Sequence, residues 1–175
     1  MLDMAIFKAT YTKKAPCAKA NIRYIEHRPG KDGAKITRTL WGIDGKMERA
    51  EAYRMIDEAK PGSVFYRLVI NLDAEKEDTY RDIYVRELTE HTMLGVENRL
   101  QRHIQWVAAT HDDHTPLRHV HILAILPQKL QVHDLQALRH IATEAAREQR
   151  HQRDAALEMK RQREQGKELQ WELHR

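Results

Sequence analysis

His111-Asp112-Asp113-His114-Thr115-Pro116-Leu117-Arg118-His119-Val120-His121-Ile122-Leu123-Ala124-Ile125-Leu126 is the stretch on which the reading of this chain turns. Residues 119–126 form an apolar, β-branched run closed by Pro127, the pattern of a strand. Side chains two apart on a strand share a face, so His119 and His121 point the same way while Val120 points into the opposite layer. The unbroken run Ile122 to Leu126 is expected where both faces of a sheet are covered. Gln105 to Thr110 reads as the preceding strand, returning through the loop that holds Pro116, which brings His111 alongside the pair. Three imidazoles with coordination positions left open make a layout for catalysis rather than for structural zinc. His114 is a rival third ligand. His111 is preferred because it falls at a strand end, where the backbone is held, whereas His114 lies mid-loop.

Working outward, residues 5–12 read as an opening strand, and Pro16 precedes a short helix over 18–25. Residues 27–33, with Pro29, Gly30 and Gly33, form a loop. A second strand is expected over 35–41, an amphipathic helix over 47–59 ended by Pro61-Gly62, and a strand over 64–72. Residues 79–94 have helical spacing that can continue to about Arg99. From Asp134 the chain has no proline and one glycine, and Leu135, Leu138, Ile141 and Ala142 give a stripe that can dock on the sheet. The order βαβαβαββα implies an α+β domain over 1–146, with a central, largely antiparallel sheet of about five strands and helices packed on it, followed by a charged helical tail over 147–175.

The chain has 175 residues, 41% of them hydrophobic, enough for one domain with a core. It has no apolar run that spans a bilayer and no signal-peptide pattern, so no membrane insertion is expected. The single Cys17 fits a reducing, cytoplasmic setting. The net charge of +4 is concentrated in residues 1–45, where Lys13, Lys14, Lys19, Arg23 and Arg28 lie among Tyr11, Tyr24 and Trp41. Basic residues interleaved with aromatics suit nucleic acid, and a solvated surface is the alternative.

A buried strand gains nothing from two imidazoles on one face unless something satisfies their nitrogens. A shared divalent ion does so, and Asp112 or Asp113 can accept the outer N–H of a ligand. Zinc, manganese and nickel suit imidazole, and magnesium becomes reasonable where substrate phosphate oxygens complete the shell. The attacking group is either water or a tyrosine. All six tyrosines precede His119, and Tyr24, on a short helix among cations beside a glycine-containing loop, is the candidate nucleophile. Tyr66 reads as core, and Tyr53, Tyr80 and Tyr84 as ordinary helix positions.

The pattern His111-x-Asp113 followed by His119-Val120-His121-Ile122 resembles, in order and spacing, the three-histidine motif of the relaxases, the mobilisation branch of the HUH endonucleases. Arg23-Tyr24-Ile25 resembles their nucleophile segment, and Phe65 to Ile70 with Gln105 to Ala108 resembles the strands between. The resemblance covers about residues 5–130. Rolling-circle initiators carry the tyrosine after the His-x-His strand and relaxases before it, and no tyrosine follows His121. The resemblance implies a nuclease that cleaves single-stranded DNA at an origin of transfer, forms a 5′-phosphotyrosine on Tyr24 and can rejoin strands, in plasmid mobilisation or conjugation with accessory relaxosome proteins. His111, His119 and His121 would hold the metal, Asp113 would orient a ligand or help deprotonate Tyr24, and Lys13, Lys14, Lys19, Arg23 and Arg28 would contact the DNA backbone. Where the family often has proline before the His-x-His pair this chain has Arg118, and it has no room for a fused helicase or primase domain.

Overall fold

The computed structural model describes residues 6–113 and 117–173. His114, the rival ligand, and Pro116 lie outside the described residues. The elements in chain order are β1 (Ile6–Thr12), α1 (Ala15–His27), β2 (Leu40–Gly42), β3 (Gly45–Met47), α2 (Arg49–Asp57), β4 (Val64–Asn71), α3 (Val85–Leu100), β5 (Gln105–His111), β6 (His119–Leu126) and α4 (Val132–Leu173). The strands form one sheet in the order β1-β4-β6-β5-β2-β3, every neighbouring pair antiparallel. This is the expected α+β class.

Alternation along the central strands sorts the core into two layers. Val120, Ile122, Ala124 and Leu126 of β6 pack with Tyr66, Leu68 and Ile70 of β4 beneath α3 and the first half of α4. Leu123, with Phe65 and Val107, packs beneath α1 and α2. Both faces of β6 are thus covered, as its unbroken apolar run requires. On α1, Ala18, Ile22 and Ile25 recur at helical spacing and are fully buried against this second face. Each such branched side chain contributes roughly 1.5–3 kcal/mol, and together they seat α1 over β5 and β6.

Three expectations are corrected. The strand expected over 35–41 begins only at Leu40, because Arg38 turns its backbone N–H to the Glu26 carbonyl at 2.8 Å. A two-residue turn after Gly42 then adds the unforeseen β3, so the sheet has six strands instead of about five. The helix expected from Thr79 begins at Val85, and Tyr80 and Tyr84 precede it. The intervening segment is held by side-chain caps that compete with a helix: Asp73 accepts from the N–H groups of Glu75 and Lys76, and Asp78 from that of Ile83.

Helix α4 runs without a break through the expected boundary at 147, a length of about 63 Å at 1.5 Å per residue. Leu138, Ala142, Ala145 and Ala146 dock on the core. Arg150 is still buried, and from Asp154 to Lys167 every residue is exposed. No helix among the described residues is long and apolar enough to cross a membrane.

Candidate metal centre

The register of β5 and β6 pairs His111 with His119 and Ala109 with His121, which puts all three imidazoles on the face covered by α1. Ring centroids lie 4.4 Å apart for His111 and His121, 5.1 Å for His119 and His121, and 5.3 Å for His111 and His119. One nitrogen from each ring lies within 4.8 Å of the others.

Two of the rings are oriented from behind by main-chain carbonyls. His111 Nε2 donates to the Ile25 carbonyl at 2.7 Å, and His119 Nδ1 to that of Leu117 at 3.3 Å. A carbonyl only accepts, so these outer nitrogens carry the protons and the inner ones, His111 Nδ1 and His119 Nε2, present lone pairs. These contacts do what Asp112 or Asp113 was expected to do.

The Ile25 carbonyl is free for this contact because of Pro29. In a continuing helix it would accept from the N–H of residue 29, which proline lacks. Proline also disfavours helical geometry at Arg28, which is extended at ψ 125. Helix α1 therefore ends with the Ile25 carbonyl pointing at the sheet.

The site is tuned toward neutral imidazoles. Burial, reinforced by the neighbouring histidines and by Arg28 and Arg38, lowers His121 to about 3. Burial also lowers His111 to about 4 despite its hydrogen bond, and pushes His119 down. His111 Nδ1 and His121 Nε2 are buried with no hydrogen-bond partner. Orphaned acceptors of this kind are costly. Three neutral nitrogens within 4.8 Å of one another are a donor set that would suit one divalent ion.

Tyr24 lies beside the cluster. The residue is 47% exposed and its ring meets that of His121 edge-on, centroids 6.1 Å apart, with the Arg28 guanidinium 5.7 Å from the ring centre. It is not packed flat on the sheet. Tyr66, by contrast, is buried and its hydroxyl accepts from the Leu130 N–H at 2.8 Å, as a core residue should.

Asp113 faces Arg38. Both carboxylate oxygens accept from Arg38 Nη2, at 2.8 and 2.7 Å, while Arg38 Nη1 donates to the Arg28 carbonyl at 2.8 Å. The guanidinium holds the Asp113 carboxyl below its usual range, which suits an orienting group and makes a poor proton acceptor. Arg38 itself is 8% exposed. Its role was missed in the sequence, where it is one more cation of a basic stretch. Arg118, the residue in place of proline, anchors the start of β6 by two bonds of 2.6 Å to buried Asp78 and one of 2.9 Å to the Ile83 carbonyl.

The expected DNA-contacting cations do not gather at one place. Arg23 and Arg28 flank Tyr24. Lys13 and Lys14 precede the other end of α1, with Lys14 about 15 Å from Tyr24 along the helix axis. Lys19 is paired with Asp57 at 2.7 Å.

The chain matches no protein-family model and no curated protein, and its fold matches no solved structure.

Proposed function

We propose that the chain is a metal-dependent, tyrosine-using strand transferase of the relaxase type, acting on single-stranded DNA at an origin of transfer. The observation that carries this reading is the half-exposed Tyr24 ring set edge-on to His121, at the margin of a three-nitrogen cluster. His111, His119 and His121 would hold the ion, magnesium or manganese where phosphate oxygens complete the shell, zinc or nickel where imidazole preference dominates. Bound there, the ion supplies Lewis acidity toward a phosphoryl oxygen.

The Tyr24 hydroxyl is the nucleophile. Its oxygen bonds to phosphorus, the 3′ oxygen leaves with the electron pair of the broken P–O bond and takes up a proton, and the phenolic proton passes to water on the exposed side. The product is a 5′-phosphotyrosine and a free 3′-hydroxyl, and attack by a 3′-hydroxyl reverses the reaction. Arg28, 5.7 Å from the Tyr24 ring centre, offers a cation to the anionic phosphate. Asp113, through Arg38, positions the strand end that bears His111. Arg23, with Lys13 and Lys14 just before the far end of α1, offers contacts to the DNA backbone.

The test is a covalent adduct. The protein is incubated with manganese and a single-stranded oligonucleotide library of random sequence, then run on a denaturing gel. A protein–DNA band that disappears with Tyr24→Phe and with chelation supports the reading. Cleavage that survives Tyr24→Phe without any adduct means that water is the nucleophile. No cleavage by the wild type overturns the catalytic reading.

A further inference from the structure

Two tyrosines that this chemistry does not use stand between β4 and α3. Tyr80 is 60% exposed and Tyr84 is 56% exposed. Isolated surface aromatics are ordinary, but these two are held in place. The main chain of Tyr84 is gripped from both sides by Gln149, its N–H donating to Oε1 at 2.9 Å and its carbonyl accepting from Nε2 at 3.2 Å. The Arg153 guanidinium lies 3.6 Å from the Tyr84 ring centre, and that of Arg150 lies 5.1 Å from the Tyr80 ring centre. Arg150 is fixed in turn by Asp82 at 2.6 Å and Asp154 at 2.9 Å, and Arg153 Nη2 is buried without a hydrogen-bond partner.

The segment is also tied to the histidine end of the sheet. Arg81 Nη2 donates to the carbonyl of Asp112, next to His111, at 3.3 Å. Arg118, next to His119, holds Asp78 and the Ile83 carbonyl. The segment that carries the tyrosines is therefore anchored to the residues next to His111 and His119, with its rings on the α4 side of that sheet end.

We propose that Tyr80 and Tyr84 form a stacking platform for unpaired bases of a single-stranded nucleic acid whose backbone continues into the three-histidine site. This rests on the reading of that site as acting on single-stranded DNA. Every base has a π-face, so exposed rings backed by cations take unpaired bases with little regard to sequence. Arg150 neutralises Asp82 and Asp154, carboxylates that would repel a phosphodiester, and Arg153 lies over the Tyr84 ring. Bases locked in a duplex cannot reach the rings.

Fluorescence anisotropy with a labelled oligothymidylate tests the platform. Tyr80→Ala and Tyr84→Ala are each expected to weaken binding roughly tenfold, within the range of one base–aromatic stack. The Phe variants should bind as the wild type does, and the dependence of log affinity on log salt should keep its slope because no phosphate contact is lost. A folded Tyr80→Ala/Tyr84→Ala protein that binds undiminished overturns the platform, as does a Phe variant as weak as the Ala one, or a wild type that does not bind. The adduct assay separates the two ideas. Adduct formation with undiminished binding by the double variant removes the platform alone. Ring-dependent binding without any adduct removes the cleavage chemistry and leaves the platform.

Discussion

His111 on β5 donates from Nε2 to the main-chain carbonyl of Ile25 on α1 at 2.7 Å, and this one bond joins the two halves of the site. It fixes the tautomer that turns Nδ1 inward. It also holds the last turn of α1 against the strand, and the residue preceding Ile25 is Tyr24. The orientation of the His111 ring and the position of Tyr24 are therefore set by the same contact.

That contact depends on Pro29. Pro29→Ala supplies a backbone N–H that competes for the Ile25 carbonyl and lets α1 lengthen. Affinity for manganese or zinc, measured by titration calorimetry, is expected to fall about tenfold, at the lower end of what loss of a ligand's outer partner costs. Long-range nitrogen–proton NMR of the metal-free wild type should show His111 protonated on Nε2. The Nδ1-protonated form would sink the account.

Acid should destabilise the metal-free protein earlier than carboxylate titration explains. His111 titrates at about 4 and His121 at about 3 in the folded chain, against roughly 6.5 unfolded. Above about pH 6.5 neither state binds these protons. Below it the unfolded state takes them up first, so stability falls as pH drops from about 6.5 toward 4 and then 3. Urea midpoints between pH 7.5 and 5 should decline, and His121→Gln should flatten the slope. A level wild-type profile counts against the burial assigned to these rings.

Arg38→Lys keeps a charge but cannot span Asp113 and the Arg28 carbonyl together. Arg38 is buried and Asp113 only partly exposed, so a loss of about 2 kcal/mol in unfolding free energy is expected. Metal affinity should drop as well, because Asp113 follows β5 closely after His111. A lysine variant as stable as the wild type would show that the pair contributes nothing.

The packing of α3 on α4 turns on one small residue. A Cβ at Gly95 would lie 2.8 Å from both Cδ1 and Cγ2 of Ile141. Gly95→Ala gains about 1 kcal/mol in helix propensity yet should be destabilising overall, since a crowded core costs about 1–3 kcal/mol. Adding Ile141→Ala removes the clash, so a double-mutant cycle should give a favourable coupling of about 1 kcal/mol or more. Strict additivity would refute the close approach.

The sheet and most of its cover were legible because hydrophobic periodicity is local. Residues 64–71 and 119–126 announce themselves by composition, and Ala18, Ile22 and Ile25 by their spacing. The errors fell where hydrogen bonds from side chains, or between distant main-chain groups, override propensity. Asp73 and Asp78 cap the segment before Val85, and the Glu26 carbonyl draws in Arg38. Neither event leaves a periodic trace.

The sequence by itself determined that His119 and His121 share a face and that a returning strand carries His111 to them, since alternation along a strand and a short return loop leave little choice. Only the tertiary structure decided which nitrogens point inward, that Arg38 rather than a ligand holds Asp113, and that α1 ends with Tyr24 beside His121. Those outcomes depend on which carbonyl Pro29 leaves unpaired and on how α1 crosses the sheet. They arise between segments far apart in the chain, where no local pattern reaches.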